Sequence, residues 1–240
     1  MIHFHTPLVA ALALAAFCSS ATTNTELQTS FPQSSGTTEL SAVQTIASGE
    51  SFDGEMLQWD RNPSTCEEQA EGGDDDAVFI LEEGATLSNV VIGPNNGEGV
   101  HCLGACTLNN VWWTDVCEDA ATFKQESGTS YVLQHNGGGT VAVKNFYASD
   151  VGKVYRSCGN CDDQHARTSS FENIYVDGAS VVAGVNGNEG DSTVIIDSCI
   201  LDSDICYLFE GNDDGDEPSK TASTPDGSVC ATSGVETSGC

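Results

Sequence analysis

One short word recurs along the chain and restricts its fold more than any other feature: an apolar residue, any residue, Asn, then a second apolar residue. It reads Leu87-Ser88-Asn89-Val90, Leu108-Asn109-Asn110-Val111, Val143-Lys144-Asn145-Phe146 and Phe171-Glu172-Asn173-Ile174. A fifth copy, Ile196-Asp197-Ser198-Cys199, puts Ser in the Asn place, and the steps between copies are 21, 35, 28 and 25 residues. Units of roughly 20–50 residues with loops of unequal size are the signature of a solenoid. Asn suits an inner corner of a coil, because its amide can ladder to the next coil while its backbone accepts a turn. Around these words lie β-branched runs bounded by Gly, Asn and Asp, such as Val78-Phe79-Ile80-Leu81, Val90-Val91-Ile92, Thr140-Val141-Ala142-Val143 and Thr193-Val194-Ile195-Ile196. No stretch sustains the 3.6-residue apolar period of a substantial helix. A β-sandwich is the alternative, but its strands alternate polar and apolar more cleanly. Continuous apolar runs suit parallel strands stacked coil on coil. The expected fold is all-β, a single-domain right-handed parallel β-helix.

The ends of the chain carry other information. Residues 7–17 are apolar, too short a run to cross a bilayer as a helix, and Ser19 and Ala21 follow in the small-x-small pattern of a cleavage site. Residues 1–21 therefore read as a signal peptide, residues 22–40 as a disordered Ser/Thr-rich leader, 41–210 as the β-helix and 211–240 as an acidic Ser/Thr-rich tail that Cys230 and Cys240 could tie down. Of 11 cysteines, Cys18 falls in the signal, leaving an even set in an exported chain. That is a disulfide framework. Cys158-Gly-Asn-Cys161 also has zinc-ligand spacing, with Cys102 and Cys106 the available second pair. The expectation is a secreted, extracellular, monomeric protein with no membrane span.

The charge narrows the partners. Seven basic residues against 36 acidic ones give a formal charge of −29, which repels nucleic acid and anionic lipid alike. The acidic runs at 71–76 and 213–217 read as solvated loops. With so few cations, their positions become informative. Glu98 lies about one coil before the pair Glu118-Asp119, so three carboxylates can converge on adjacent coils as a hard-oxygen site suited to Ca2+. Lys124, Lys153 and Arg156 fall in the coils that follow. Basic groups beside a calcium site imply an anionic ligand bridged by the metal; the plainer reading is charge balancing of neighbouring acids.

Longer words now match a family. Phe79-Ile80-Leu81-Glu82-Glu83-Gly84-Ala85-Thr86-Leu87, Gly97-Glu98-Gly99-Val100-His101-Cys102 and Trp112-Trp113-Thr114-Asp115-Val116-Cys117-Glu118-Asp119-Ala120-Ala121-Thr122-Phe123-Lys124 are followed by Gln134-His135-Asn136-Gly137-Gly138-Gly139-Thr140 and Lys153-Val154-Tyr155-Arg156-Ser157-Cys158-Gly159-Asn160-Cys161. In that order they closely resemble the small pectate lyases of polysaccharide lyase family 3, secreted by fungi, oomycetes and bacteria. The resemblance implies a parallel β-helix that cleaves polygalacturonate (pectate) with calcium. It puts Glu98, Glu118 and Asp119 on calcium-ligand positions, Glu98 standing for Asp, and puts Lys124, Lys153 and Arg156 on basic positions that face substrate. It also exposes a departure: Tyr131 occupies the place where relatives commonly carry a Lys that is a leading candidate for the catalytic base. Three readings of Tyr131 stand open. Lys153, Lys124 or Arg156 serves as base; Tyr131 itself ionises beside the substrate; or the protein is an impaired homologue that binds pectate and cleaves it poorly.

A hydrolase of the polygalacturonase type is the rival chemistry, and it needs inward-facing Asp residues, for which Asp162-Asp163 is the obvious pair. His101 and His135 read as hydrogen-bonded structural residues, and Trp112-Trp113 as one packed and one surface aromatic. Asn62-Pro63-Ser64 is blocked as a glycosylation acceptor by its proline.

Overall fold

The computed structural model describes residues 27–67, 72–124 and 133–240, and in them the β-branched runs become the rungs of a parallel β-helix. The largest sheet stacks Gln44–Ile46, Ala77–Leu81, Glu98–Cys102, Asp119–Phe123, Leu133–His135, Lys153–Ser157, Val181–Asn186, Asp204–Glu210 and Ser219–Ala222 in that order. Its strands run parallel except for the last pair, which is antiparallel. Two four-stranded sheets and one three-stranded sheet form the other faces among the described residues.

Register explains why the stack closes. Phe79, Val100, Ala121, Leu133, Tyr155, Ala183 and Cys206 are consecutive partners across the largest sheet, and all are buried. Each coil thus sets its inward residue on that of the coil below. Burying a large apolar side chain contributes about 1.5–3 kcal/mol, so the file is stable only as a stack. Strand alternation sends the next residues the other way. Ile80, His101, Thr122, Gln134 and Arg156 form a second file in register, and none is more than 8% exposed. Loop residues lie over this file: Asp74 reaches His101 and Asn160 reaches Arg156.

The Asn word marks the corners. Asn89, Asn110, Asn145 and Asn173 all adopt left-handed backbone, with φ between 54° and 56°. Their amides ladder: Asn110 donates to Asn89 at 2.8 Å, and Asn173 to Asn145 at 2.7 Å. The fifth copy sits one residue away from where its spelling suggested. Glu172 pairs with Ile196, so the residue opposite Asn173 is Asp197, at φ 47°, and not Ser198. Asp, like Asn, tolerates the left-handed region, whereas Ser has no such preference.

Strands lie within both flanking segments. Thr37–Leu40, within the expected leader, is a strand parallel to Ser51–Arg61. The tail adds Ser219–Ala222 and Cys230–Ser233 to two sheets, so open backbone edges, not apolar content, recruit it. The proposed signal peptide lies outside the described residues. Ten cysteines form five disulfides: Cys66–Cys117, Cys102–Cys106, Cys158–Cys161, Cys199–Cys240 and Cys206–Cys230. That overturns the zinc alternative, since an oxidised sulfur is no thiolate ligand. Trp113 packs on the core, while Trp112 meets Phe31 edge-on at 5.5 Å.

Candidate active site

Glycine brings the carboxylates together. A Cβ on Gly99 would lie 2.1 Å from the Ala120 carbonyl oxygen, and one on Gly97 would lie 2.6 Å from that of Thr65. Without side chains there, Glu98–Cys102 lies close against Asp119–Phe123, and Glu98 pairs in register with Asp119. Glu118 precedes Asp119, next to Cys117, whose disulfide to Cys66 anchors the turn. Glu98, Glu118 and Asp119 are all buried, and each offers an oxygen within 4.8 Å of the others.

That spacing tests the metal reading. Two ionised carboxylates about 4.8 Å apart repel by roughly 3–4 kcal/mol at an effective dielectric near 20, so three of them call for a cation. Calcium binds oxygens at about 2.3–2.6 Å, which places two ligands of one ion at most about 5 Å apart. An all-oxygen set favours a hard ion over zinc or copper. The residues fit calcium.

Asp119 and Glu98 are also oriented from behind. Thr122 Oγ1 donates to Asp119 Oδ2 at 2.8 Å. Glu98 Oε1 accepts from the Gly72 amide at 3.1 Å, and Glu98 Oε2 faces His101 Nε2 at 3.0 Å. The other ring nitrogen, Nδ1, faces Asp74 Oδ1 at 2.8 Å, and Lys124 Nζ donates to that same oxygen at 3.1 Å. The bonds from His101 and Lys124 outweigh the cost of burial and hold the Asp74 carboxyl below its usual range.

The cations flank this cluster. Arg156 shares the outward file with His101, Thr122 and Gln134, and its Nη2 donates to Asn160 Oδ1 at 3.0 Å. The loop bearing Asn160 is held by Arg167, which is fully buried. Its guanidinium donates to the carbonyls of Asn136, Cys158 and His165 at 2.6–3.2 Å. Lys153 opens the Arg156 strand and is half-buried, with Nζ 6.0 Å from the centre of the Phe209 ring. Parallel strands are spaced about 4.8 Å apart, so Lys153 and Arg156 stand roughly 10 Å along the stack from Asp119. Tyr131 lies outside the described residues.

Sequence reasoning missed Asp74. The run at 71–76 reads as solvent-facing by charge alone, yet Asp74 caps His101 and Lys124. The available signal was its position just before Ala77, the register partner of Glu98. Arg167 and Asn160 carried no signal beyond their neighbourhood. Asp162 and Asp163 are exposed and line an open depression with Glu189 and Asp213, not the inward pair a hydrolase needs.

Comparison with known proteins gives a consistent picture. The family model described as "Pectate lyase" matches residues 28–216. The chain is 44% identical over 209 residues to "Probable pectate lyase D" of Neosartorya fischeri, covering 81% of this chain and 86% of the relative. It is likewise 44% identical over 214 residues to "Pectate lyase H" of Emericella nidulans, covering 83% and 81%. Among solved structures, the catalytic domain of pectate lyase PelI from Erwinia chrysanthemi superposes with a TM-score of 0.65 at 27% identity, over 84% of this chain and 97% of that one. The same enzyme in complex with tetragalacturonic acid gives 0.65 at 28% identity, over 80% and 68%.

Proposed function

The chain belongs to the pectate lyase family, and from that premise we propose that it is a secreted, calcium-dependent enzyme cleaving de-esterified polygalacturonate by β-elimination to unsaturated oligogalacturonides. The observation that carries this reading is the convergence of Glu98, Glu118 and Asp119, all buried, each offering an oxygen within 4.8 Å of the others. Glu98, Glu118 and Asp119 would hold calcium, which would act as a Lewis acid on the substrate carboxylate and so acidify the neighbouring C5 proton.

Lys153 is the base of this proposal. Lys124 Nζ is engaged by Asp74 Oδ1 at 3.1 Å, and a guanidinium stays protonated in proteins. Lys153 takes the C5 proton, the electron pair forms the C4–C5 double bond, the C4–O bond breaks, and the leaving oxygen is protonated from water. Arg156 and Lys124 stay charged and stabilise the enolate that develops on the carboxylate. A lysine accepts a proton only in its neutral form, so the rate climbs on the alkaline side. Five disulfides among the described residues support export. No helix among those residues is long and apolar enough to cross a membrane.

Incubation with polygalacturonate and calcium at alkaline pH tests the proposal through ultraviolet absorbance of the unsaturated ends. Absorbance should rise, vanish with chelator, and fall by about 10²–10⁴-fold in Lys153→Ala. Reducing ends without absorbance would mean hydrolysis. Binding without cleavage, with absorbance restored by Tyr131→Lys, would mean the impaired homologue.

A further inference from the structure

We propose that Asp74 is a positioning residue that couples the carboxylate cluster to the basic side of the site, holding His101 against Glu98 with the same oxygen that fixes Lys124. The inference rests on the calcium reading above and adds a residue to it.

The geometry is a chain of four groups. Lys124 Nζ is 3.1 Å from Asp74 Oδ1, that oxygen is 2.8 Å from His101 Nδ1, and His101 Nε2 is 3.0 Å from Glu98 Oε2. His101 is fully buried in the folded chain, so its Nδ1 meets Asp74 and not bulk water. Glu98 needs such a brace. Its side chain has one more rotatable bond than an Asp, and that freedom must be removed before its carboxylate can meet an ion held by Glu118 and Asp119.

Asp74 is itself firmly placed. It begins the short helical turn Asp74–Asp76, closed by the Gly73 amide on Asp76 Oδ2 at 2.8 Å. The buried Arg61 guanidinium donates to the carbonyls of Asp75 and Ala77, both at 2.7 Å, and Thr65 Oγ1 donates to that of Asp76 at 2.8 Å. The preceding Gly72 amide bonds Glu98 Oε1 directly. One turn therefore grips Glu98 at both oxygens, once through Gly72 and once through Asp74 and His101. An isolated surface ion pair between Asp74 and Lys124 would contribute about 0–1 kcal/mol and affect nothing else. The shared oxygen is what makes the arrangement more than that.

The test measures calcium affinity by titration calorimetry on the mature chain, with calcium alone and no substrate. Asp74→Ala should weaken binding about tenfold, the lower end for loss of an outer-shell partner. Asp74→Asn, whose Oδ1 still accepts a hydrogen bond, should recover most of that loss. Asp213→Ala, which removes an equal charge from the exposed tail run, controls for long-range attraction and should stay near the parent. At saturating calcium, Asp74→Ala should keep a lowered kcat on polygalacturonate, because Lys124, which stabilises the enolate, has lost its anchor. The role is overturned if Asp74→Ala binds calcium within about twofold of Asp213→Ala while retaining the parent's circular dichroism. Failure of the parent itself to bind calcium would instead remove the calcium reading, and the Asp74 role with it.

Discussion

His135 lies on the core side of the stack, with Nδ1 2.9 Å from the Tyr155 hydroxyl and Nε2 3.5 Å from the Gly138 carbonyl oxygen. A neutral ring satisfies both, Nε2–H donating to Gly138 and Nδ1 accepting from Tyr155. Burial lowers its pKa from 6.5 to about 4, helped by the nearby charge of Arg167 and opposed by the Gly138 bond, while burial pushes the Tyr155 hydroxyl up. A depressed histidine stabilises the fold fully above its unfolded value. That contribution is lost as pH falls from 6.5 towards about 4 and is worth at most about 3 kcal/mol. Urea unfolding of His135→Gln and the parent should therefore show stabilities that converge on acidification through this window. Parallel pH profiles for the two would refute the assignment. The sequence read His135 as a hydrogen-bonded residue, and its pKa depends on burial, Gly138 and Arg167 and so on the folded stack.

At the scale of the coil, the left-handed Asn corners set where each strand turns. Asn173 has φ 54° and donates to Asn145 at 2.7 Å, so it contributes both a backbone conformation and a ladder bond. Asn173→Ala loses both, and should cost about 2 kcal/mol, from roughly 1 for left-handed strain and roughly 1 for the hydrogen bond. Asn173→Gly keeps the conformation and should cost less. Equal midpoints in denaturant for the two variants would show that backbone strain plays no part. Spelling found four of these corners. It misplaced the fifth by one residue, because Ser198 fits the word while Asp197 fits the register.

Over the whole molecule, disulfides and the closing coil replace the broad core that a narrow solenoid lacks. Cys206 and Cys230, both fully buried, join residues 24 apart and fasten the last coil to the tail. Replacing both with Ala should lower stability by about 3 kcal/mol, the entropy a loop of that length regains on opening. Scanning calorimetry reads this as a depressed Tm, and an unchanged Tm would mean that the tail docks independently of the bond. The charge of −29 acts at the same scale, since it opposes the approach of a polyanion and leaves attraction to a few local groups.

What the sequence determined by itself was whatever a repeat and its residue types can encode. Coil-length spacing put Glu98 one rung from Asp119, apolar runs became inward files, and Asn chose the corners, because each of these is local or periodic along the chain. What only the tertiary structure decided was everything contributed by the variable loops. Asp74 meets His101 and Lys124 because Arg61 and Thr65 pin the turn that carries it, and Asn160 meets Arg156 because Arg167 ties the carbonyls of Cys158 and His165 in that loop to the carbonyl of Asn136 on the coil before. Such contacts join residues distant in sequence through loops without periodicity, and side-chain identity alone does not say where a loop comes to rest.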